Sequence, residues 1–168
     1  MKCLFVIDVQ NGFVSERTKH VVPRIRELAE TFEGVVIATK FVNNEHSPYE
    51  NYMGWKRLKE SPETDVLPEI EKTADYVIEK NIYSACVDEV MQIIDSQKID
   101  KAYVVGIDTD CCVLKTATDL FERNIRPIVL LDYCASNGGE DSHCAAIRVM
   151  ERTIGKNQIV SGLNILRD

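Results

Sequence analysis

The chain has 168 residues, 45% of them hydrophobic and 28% charged, with a formal charge of -7. That length and balance suit one globular domain able to bury a core. The acidic excess argues against a nucleic-acid or anionic-membrane partner, and no apolar run approaches the ~20 residues of a membrane helix.

Lys2 to Val9 reads as a buried strand. Its apolar run Cys3-Leu4-Phe5-Val6-Ile7 is continuous rather than alternating, the pattern of a strand covered on both faces. Asp8 cuts that run too short for a signal sequence, and no small-residue cleavage site follows, so a cytoplasmic protein is expected. Gln10 to Phe13 turns the chain. Residues 20–33 carry Ile25, Leu28, Ala29 and Phe32 at helical spacing up to Gly34, and Val35 to Thr39 is a second strand.

Residues 41–74 form a long irregular excursion rich in aromatics, with a short helix expected at Lys56 to Glu60. Excursions of this kind after a strand often build binding sites. Tyr76 to Glu79 is a third strand closed by Lys80, and Val87 to Ser96 a helix. Residues 101–106 are a fourth strand and 111–123 a helix. Pro127 to Asp132 is a fifth strand, followed by the loop Ser136 to Gly139. A helix over 140–152, capped near Asp141 or Ser142, leads to a last strand at Gln158 to Val160.

Strand–helix alternation over 1–168 predicts a single α/β domain. Its form is a three-layer α-β-α, doubly wound, mostly parallel six-stranded sheet of Rossmann-like type. Right-handed crossovers put every strand C-terminus on one edge, where ligands bind. Asp8, Lys80 and the turn Gly106 to Cys112 all fall there. A receiver-type signalling domain of the same layer order would need an acidic cluster after strand one and an aspartate after strand three, and Lys80 stands in the latter place.

The six cysteines are Cys3, Cys86, Cys111, Cys112, Cys134 and Cys144. Reduced thiols are expected, and no C-x-x-C pair supports a zinc or redox site. Cys112, at a turn before a helix, is the candidate nucleophile. Lys80 and helix amides beside it are expected to favour a thiolate. Cys111 reads as a packing residue.

Asp8-Val9-Gln10-Asn11-Gly12-Phe13, Lys80-Asn81-Ile82-Tyr83-Ser84-Ala85 and Gly106-Ile107-Asp108-Thr109-Asp110-Cys111-Cys112-Val113 resemble, in order, three signatures of the isochorismatase-like cysteine hydrolases. The superfamily includes nicotinamidases and N-carbamoylsarcosine amidases. The resemblance implies a Cys-Asp-Lys triad: Cys112 as nucleophile, Asp8 as general base and Lys80 as third member. It also implies a thioester acyl-enzyme, an oxyanion hole from the backbone amides of Asp108 and Cys112, and a cis Ile107–Asp108 peptide. Gln10, Phe13, Trp55 and Tyr83 are candidate pocket residues. The implied partners are a small amide-like substrate and further copies of the chain in a homo-oligomer.

Two departures stand out. The nicotinamidase Asp-x-His…His metal motif is missing from Thr39 to Trp55, which holds Asn43, Asn44 and the single His46, so neither a metal nor another cofactor is expected. Asp108 replaces a residue that is often small, and would reshape the pocket or oppose anionic substrates. The alternatives are a nicotinamidase-type deamidase with a degenerate metal site and a catalytically idle binding or oligomeric protein.

Overall fold

The computed structural model describes residues 1–161, so 162–168 of the expected domain lie outside it. The elements are β1 (Lys2–Ile7), α1 (Val22–Thr31), β2 (Val35–Phe41), α2 (Pro48–Met53), α3 (Pro68–Glu71), β3 (Tyr76–Lys80) and α4 (Asp88–Ser96). They continue with β4 (Lys101–Ile107), α5 (Leu114–Glu122), β5 (Arg126–Ala135), α6 (Glu140–Met150) and β6 (Ile159–Val160). The six strands lie in the order β3-β2-β1-β4-β5-β6, and every neighbouring pair is parallel.

The continuous apolarity of β1 has a direct cause. Cys3, Phe5 and Ile7 pack with Val90 and Ile94 of α4 and Ala117 and Leu120 of α5. Leu4 and Val6 face the other way, into a core with Ile25 and Leu28 of α1. A strand buried on both faces cannot alternate polar with apolar residues. A smaller aromatic cluster, Phe41, Tyr49 and Leu58 with Phe13 and Trp55 against it, sits beyond the end of β2.

The chain runs outward from β1 to β3, then crosses back to start β4 on the other side of β1. The strand order therefore reverses between β1 and β4, which opens a crevice above their C-terminal ends. Gly106 of β4 pairs with Ile7 of β1. Gly106 has φ +127, and a Cβ there would lie 2.2 Å from the Ile7 carbonyl oxygen.

Several local expectations are corrected. Residues 56–60 are not helical. Pro48 at the first turn and Ser47, whose side chain accepts from the Glu50 amide, start a helix earlier, and left-handed Gly54 ends it. Beyond it the Leu58 amide donates to Glu63 at 2.7 Å, and Leu58, left-handed at φ 56 and fully buried, packs into the aromatic cluster. β5 extends to Ala135 because its register against β4 slips between Val104 and Gly106, which sets Cys134 opposite Gly106. α6 is capped by Gly139, not Asp141 or Ser142, because Ser136 takes the amides of Gly138 and Gly139 and closes the turn sooner. Among the described residues no helix is long and apolar enough to cross a membrane.

Gly106→Ala should lose about 3 kcal/mol of stability or more, from backbone strain plus a main-chain clash. Denaturant unfolding monitored by circular dichroism measures the loss, and an unchanged midpoint would contradict the close approach.

Candidate active site

Asp8 follows β1 with φ 50, a left-handed turn that ends the strand and leaves the carboxylate buried at its end. Thr39, on the neighbouring strand, donates to Asp8 Oδ1 at 2.6 Å and accepts from the Asp8 amide at 3.1 Å. The other carboxylate oxygen, Oδ2, takes Lys80 Nζ at 2.7 Å, and both side chains are wholly buried. Lys80 comes from the end of β3, two strands and so roughly 9.5 Å from β1. Its long stem crosses the end of β2 and carries Nζ over the ring of Phe41, 5.2 Å from the centroid.

Cys112 lies in a π-helical turn, Thr109–Val113, wound between β4 and α5. The thiol stands 3.6 Å from Lys80 Nζ. Nζ also donates to the carbonyls of Ile82 and Tyr83, at 3.0 and 3.2 Å. The ends of β1, β3 and β4 thus bring Asp8, Lys80 and Cys112 into one contact network, although they are far apart in sequence. The Lys80–Ala85 segment is held to α5 by Thr116, whose hydroxyl accepts from the Ala85 amide at 3.0 Å.

Burial pulls the Lys80 ammonium down, but the Asp8 carboxylate and Cys112 outweigh it, so Lys80 stays above its ordinary value. Burial, and then the Asp8 carboxylate, push the Cys112 thiol well above the usual thiol range despite Lys80. This direction runs against the expectation that Lys80 and helix amides favour a thiolate. The turn is π-helical, not a free α-helical N-terminus, and the Asp8 carboxylate acts on the sulfur against Lys80. Burial and the Asp8 carboxylate thus favour the protonated thiol.

The thiol opens into a cavity of about 340 Å³. Phe13, Trp55 and Tyr83 line it, as do Asp108, Cys111 and Asn137. Phe13 and Trp55 stack at 6.1 Å with a 14° interplanar angle, and Tyr49 meets Tyr83 edge-on at 5.1 Å. Gln10 does not line this cavity. Its amide donates to the carbonyls of Phe41 and Thr64 and accepts from the Phe41 amide, so it fastens the excursion to the loop after β1. The Ile107–Asp108 peptide is cis. The Asp108 carbonyl accepts from the amides of Cys111 and Val113, both at 3.2 Å, and not from that of Cys112 between them.

Sequence reasoning passed over Thr39 and Asn137. Thr39 had a signal, as the polar end of an otherwise apolar strand. Asn137 had only its place in a loop on the correct sheet edge. Thr109, read as a turn residue, also bonds His143 Nδ1 at 2.8 Å and ties the turn to α6.

The stretch that would carry a metal motif does not fit one. Asn43 gives its amide to the carbonyls of Trp55 and Arg57 and accepts from Ser47 with its own carbonyl oxygen. Among the described residues no group of three His, Cys, Asp or Glu side chains could hold a metal ion.

The isochorismatase domain model matches residues 2–159. The chain belongs to the isochorismatase family. It is 25% identical over 170 residues to a nicotinamidase from Acinetobacter baylyi, covering 78% of this chain and 79% of that protein. It is 27% identical over 157 residues to isochorismatase family protein 1B of Dictyostelium discoideum, covering 88% and 69% respectively. The solved N-carbamoylsarcosine amidase from Thermoplasma acidophilum superposes with a TM-score of 0.81 at 25% identity, over 95% of this chain and 94% of that one. The chain is an isochorismatase-family hydrolase, and its relatives include amidohydrolases.

Asp8→Asn should lower the pH at which Cys112 becomes alkylated by about one unit or more, because the carboxylate that holds the proton on sulfur is gone while Lys80 remains. Peptide-resolved iodoacetamide labelling against pH separates Cys112 from the other thiols. An upward shift would contradict the proposed electrostatics.

Proposed function

We propose that this protein is a metal-independent cysteine hydrolase that cleaves a small amide or related C–N bond. One observation carries the reading: Cys112 faces an aromatic-walled cavity while resting on a fully buried Asp8–Lys80 pair.

The geometry supports the following sequence. The substrate carbonyl enters with its oxygen toward the amides of Asp108 and Cys112. Sγ attacks the carbonyl carbon as Asp8 takes the thiol proton, so charge separates only when a substrate is present. The oxyanion rests on the two backbone amides, and one such donor is worth about 3 kcal/mol. Asp8 then gives its proton to the leaving nitrogen, the C–N bond breaks, and a thioester remains. Asp8 next takes a proton from water, which attacks the thioester. As the second tetrahedral intermediate collapses, the acid departs and sulfur regains the proton from Asp8. Lys80 stays protonated throughout, holding Asp8 in place and offsetting negative charge on sulfur.

The aromatic wall supports a small, flat substrate. The six cysteines are all unpaired thiols, which suits a reducing cytoplasm. A homo-oligomer belongs to the same reading: Tyr52, Met53 and Ile82 stand exposed close to the cavity residues Tyr49 and Tyr83, and contiguous apolar surface of this kind marks interfaces.

Cys112→Ala should reduce kcat/KM for any accepted amide by about 1,000-fold or more without changing the unfolding midpoint, and a chelator should leave wild-type turnover unchanged. Residual turnover near the wild-type rate, or loss on chelation, would contradict the mechanism. Light scattering should give a mass at least about twice the 19.1 kDa of one chain. A monomer at micromolar concentration would contradict the oligomer.

A further inference from the structure

Asp108 enters the cavity with one carboxylate oxygen committed and one open. Oδ1 accepts from the Asn137 amide at 2.8 Å and from Asn137 Nδ2 at 2.9 Å. Asn137 is itself fixed: Nδ2 donates to the Phe13 carbonyl at 2.9 Å, and Ser15 donates to Oδ1 at 2.7 Å. Arg17 donates to its carbonyl at 2.8 Å. Loops after β1, β4 and β5 therefore set the plane of the Asp108 carboxylate together.

Asp108 Oδ2 takes no hydrogen bond from the described residues. No side-chain oxygen or nitrogen among them is both sealed off and unpartnered, so Oδ2 keeps accessible surface, and Asp108 lines the cavity.

The charges around Asp108 point the same way. Arg57 is the one cation among the described lining residues, and Glu63 holds it at 2.9 Å. Lys80 is committed to Asp8. Asp110 on the same turn and Asp8 after β1 add negative charge, and Cys111 and Cys112 are thiols held neutral mainly by burial. His143 of α6 is turned to Thr109. Burial raises Asp108 to about 6 against the two Asn137 donors, which hold it down. At neutral pH it is therefore mainly a carboxylate, uncompensated and close to where the oxyanion forms. Left alone, that charge opposes the transition state. A cation brought in by the substrate removes the opposition.

We propose that Asp108 Oδ2 receives an ammonium or amidinium group of the substrate, so that the enzyme selects small aromatic amides that carry a positive charge. This builds on the reading of Cys112 as the hydrolytic nucleophile. The ring lies against the wall of Phe13, Trp55 and Tyr83 while its amide faces Cys112, and a carboxylate-bearing analogue is repelled.

Binding tests this without turnover. Calorimetry on Cys112→Ala compares 3-(aminomethyl)benzamide, benzamide and 3-carbamoylbenzoate. At about pH 7.5 the cation should bind at least about tenfold tighter than benzamide, and the anion weaker than both. At about pH 5, where Asp108 is protonated and the ligand amine is not titrated, the preference should shrink. Asp108→Asn in the same background should bring the cation within about twofold of benzamide and remove that pH dependence, which assigns it to Asp108 rather than to His143. A cation that binds no tighter than benzamide, or a preference that survives Asp108→Asn, overturns the proposal. Should Asp108→Asn fail to fold, Asp108→Ser in the same background makes the same comparison, and a cation preference that survives it overturns the proposal. Wild-type turnover of these amides separates the two readings. Turnover with no cation preference sinks the role of Asp108 and leaves the hydrolase standing; preference with no turnover of any of the three does the reverse.

Discussion

The buried Asp8–Lys80 ion pair is the constraint on which the site depends. Taking both charges out of water costs several kcal/mol per ion unless every polar valence is met. Here they are met from four strand ends. Thr39 of β2 holds the carboxylate, and Lys80 of β3 spans β2 to reach it. The carbonyls of Ile82 and Tyr83 take further ammonium protons, and the face of Phe41 lies against the charge. Cys112 of the β4 turn closes the network. Removing either ion would leave the other buried and uncompensated, so the pair and the strand ends hold one another in place.

That arrangement bears on how the proposed nucleophile, Cys112, is made. A thiol next to a lysine invites a reading in which sulfur rests as thiolate. The Asp8 carboxylate already holds the ammonium and opposes charge on sulfur, and burial disfavours any extra charge. In the proposed mechanism the proton therefore stays on sulfur until a carbonyl arrives to take the electrons. A neutral resting thiol is also a poor target for stray electrophiles. Cys111 opens on the same cavity but contacts neither Asp8 nor Lys80 in the network, and burial raises its thiol to about 11.

The parts legible in the sequence were those fixed by chain topology. Once strands and helices alternate, strand C-termini share an edge, so Asp8, Lys80 and the Cys112 turn could be placed together before any side-chain geometry was known. The aromatic wall followed in part, through Phe13, Trp55 and Tyr83. What escaped depends on which groups satisfy which. Gln10 looked like a pocket residue because it sits beside Asp8, yet its amide is consumed by the backbone of Phe41 and Thr64. Asn137 looked like an ordinary turn residue, yet it orients Asp108. The expected helix at Lys56 to Glu60 failed because Glu63 captures Arg57 and the Leu58 amide, a contact that helical periodicity does not encode. The upward push on the Cys112 thiol escaped for the same reason: it follows from burial and from the opposed influence of Asp8 and Lys80.

The central claim is that Cys112 carries the acyl group during turnover. The direct measurement is rapid quenching during hydrolysis of the amide turned over fastest, followed by peptide-resolved mass spectrometry. The account predicts an acyl adduct on Cys112, absent from Cys111 and lost when hydroxylamine is added. Repeated turnover with no adduct on Cys112 at any quench time, or with the adduct on another residue, would contradict it.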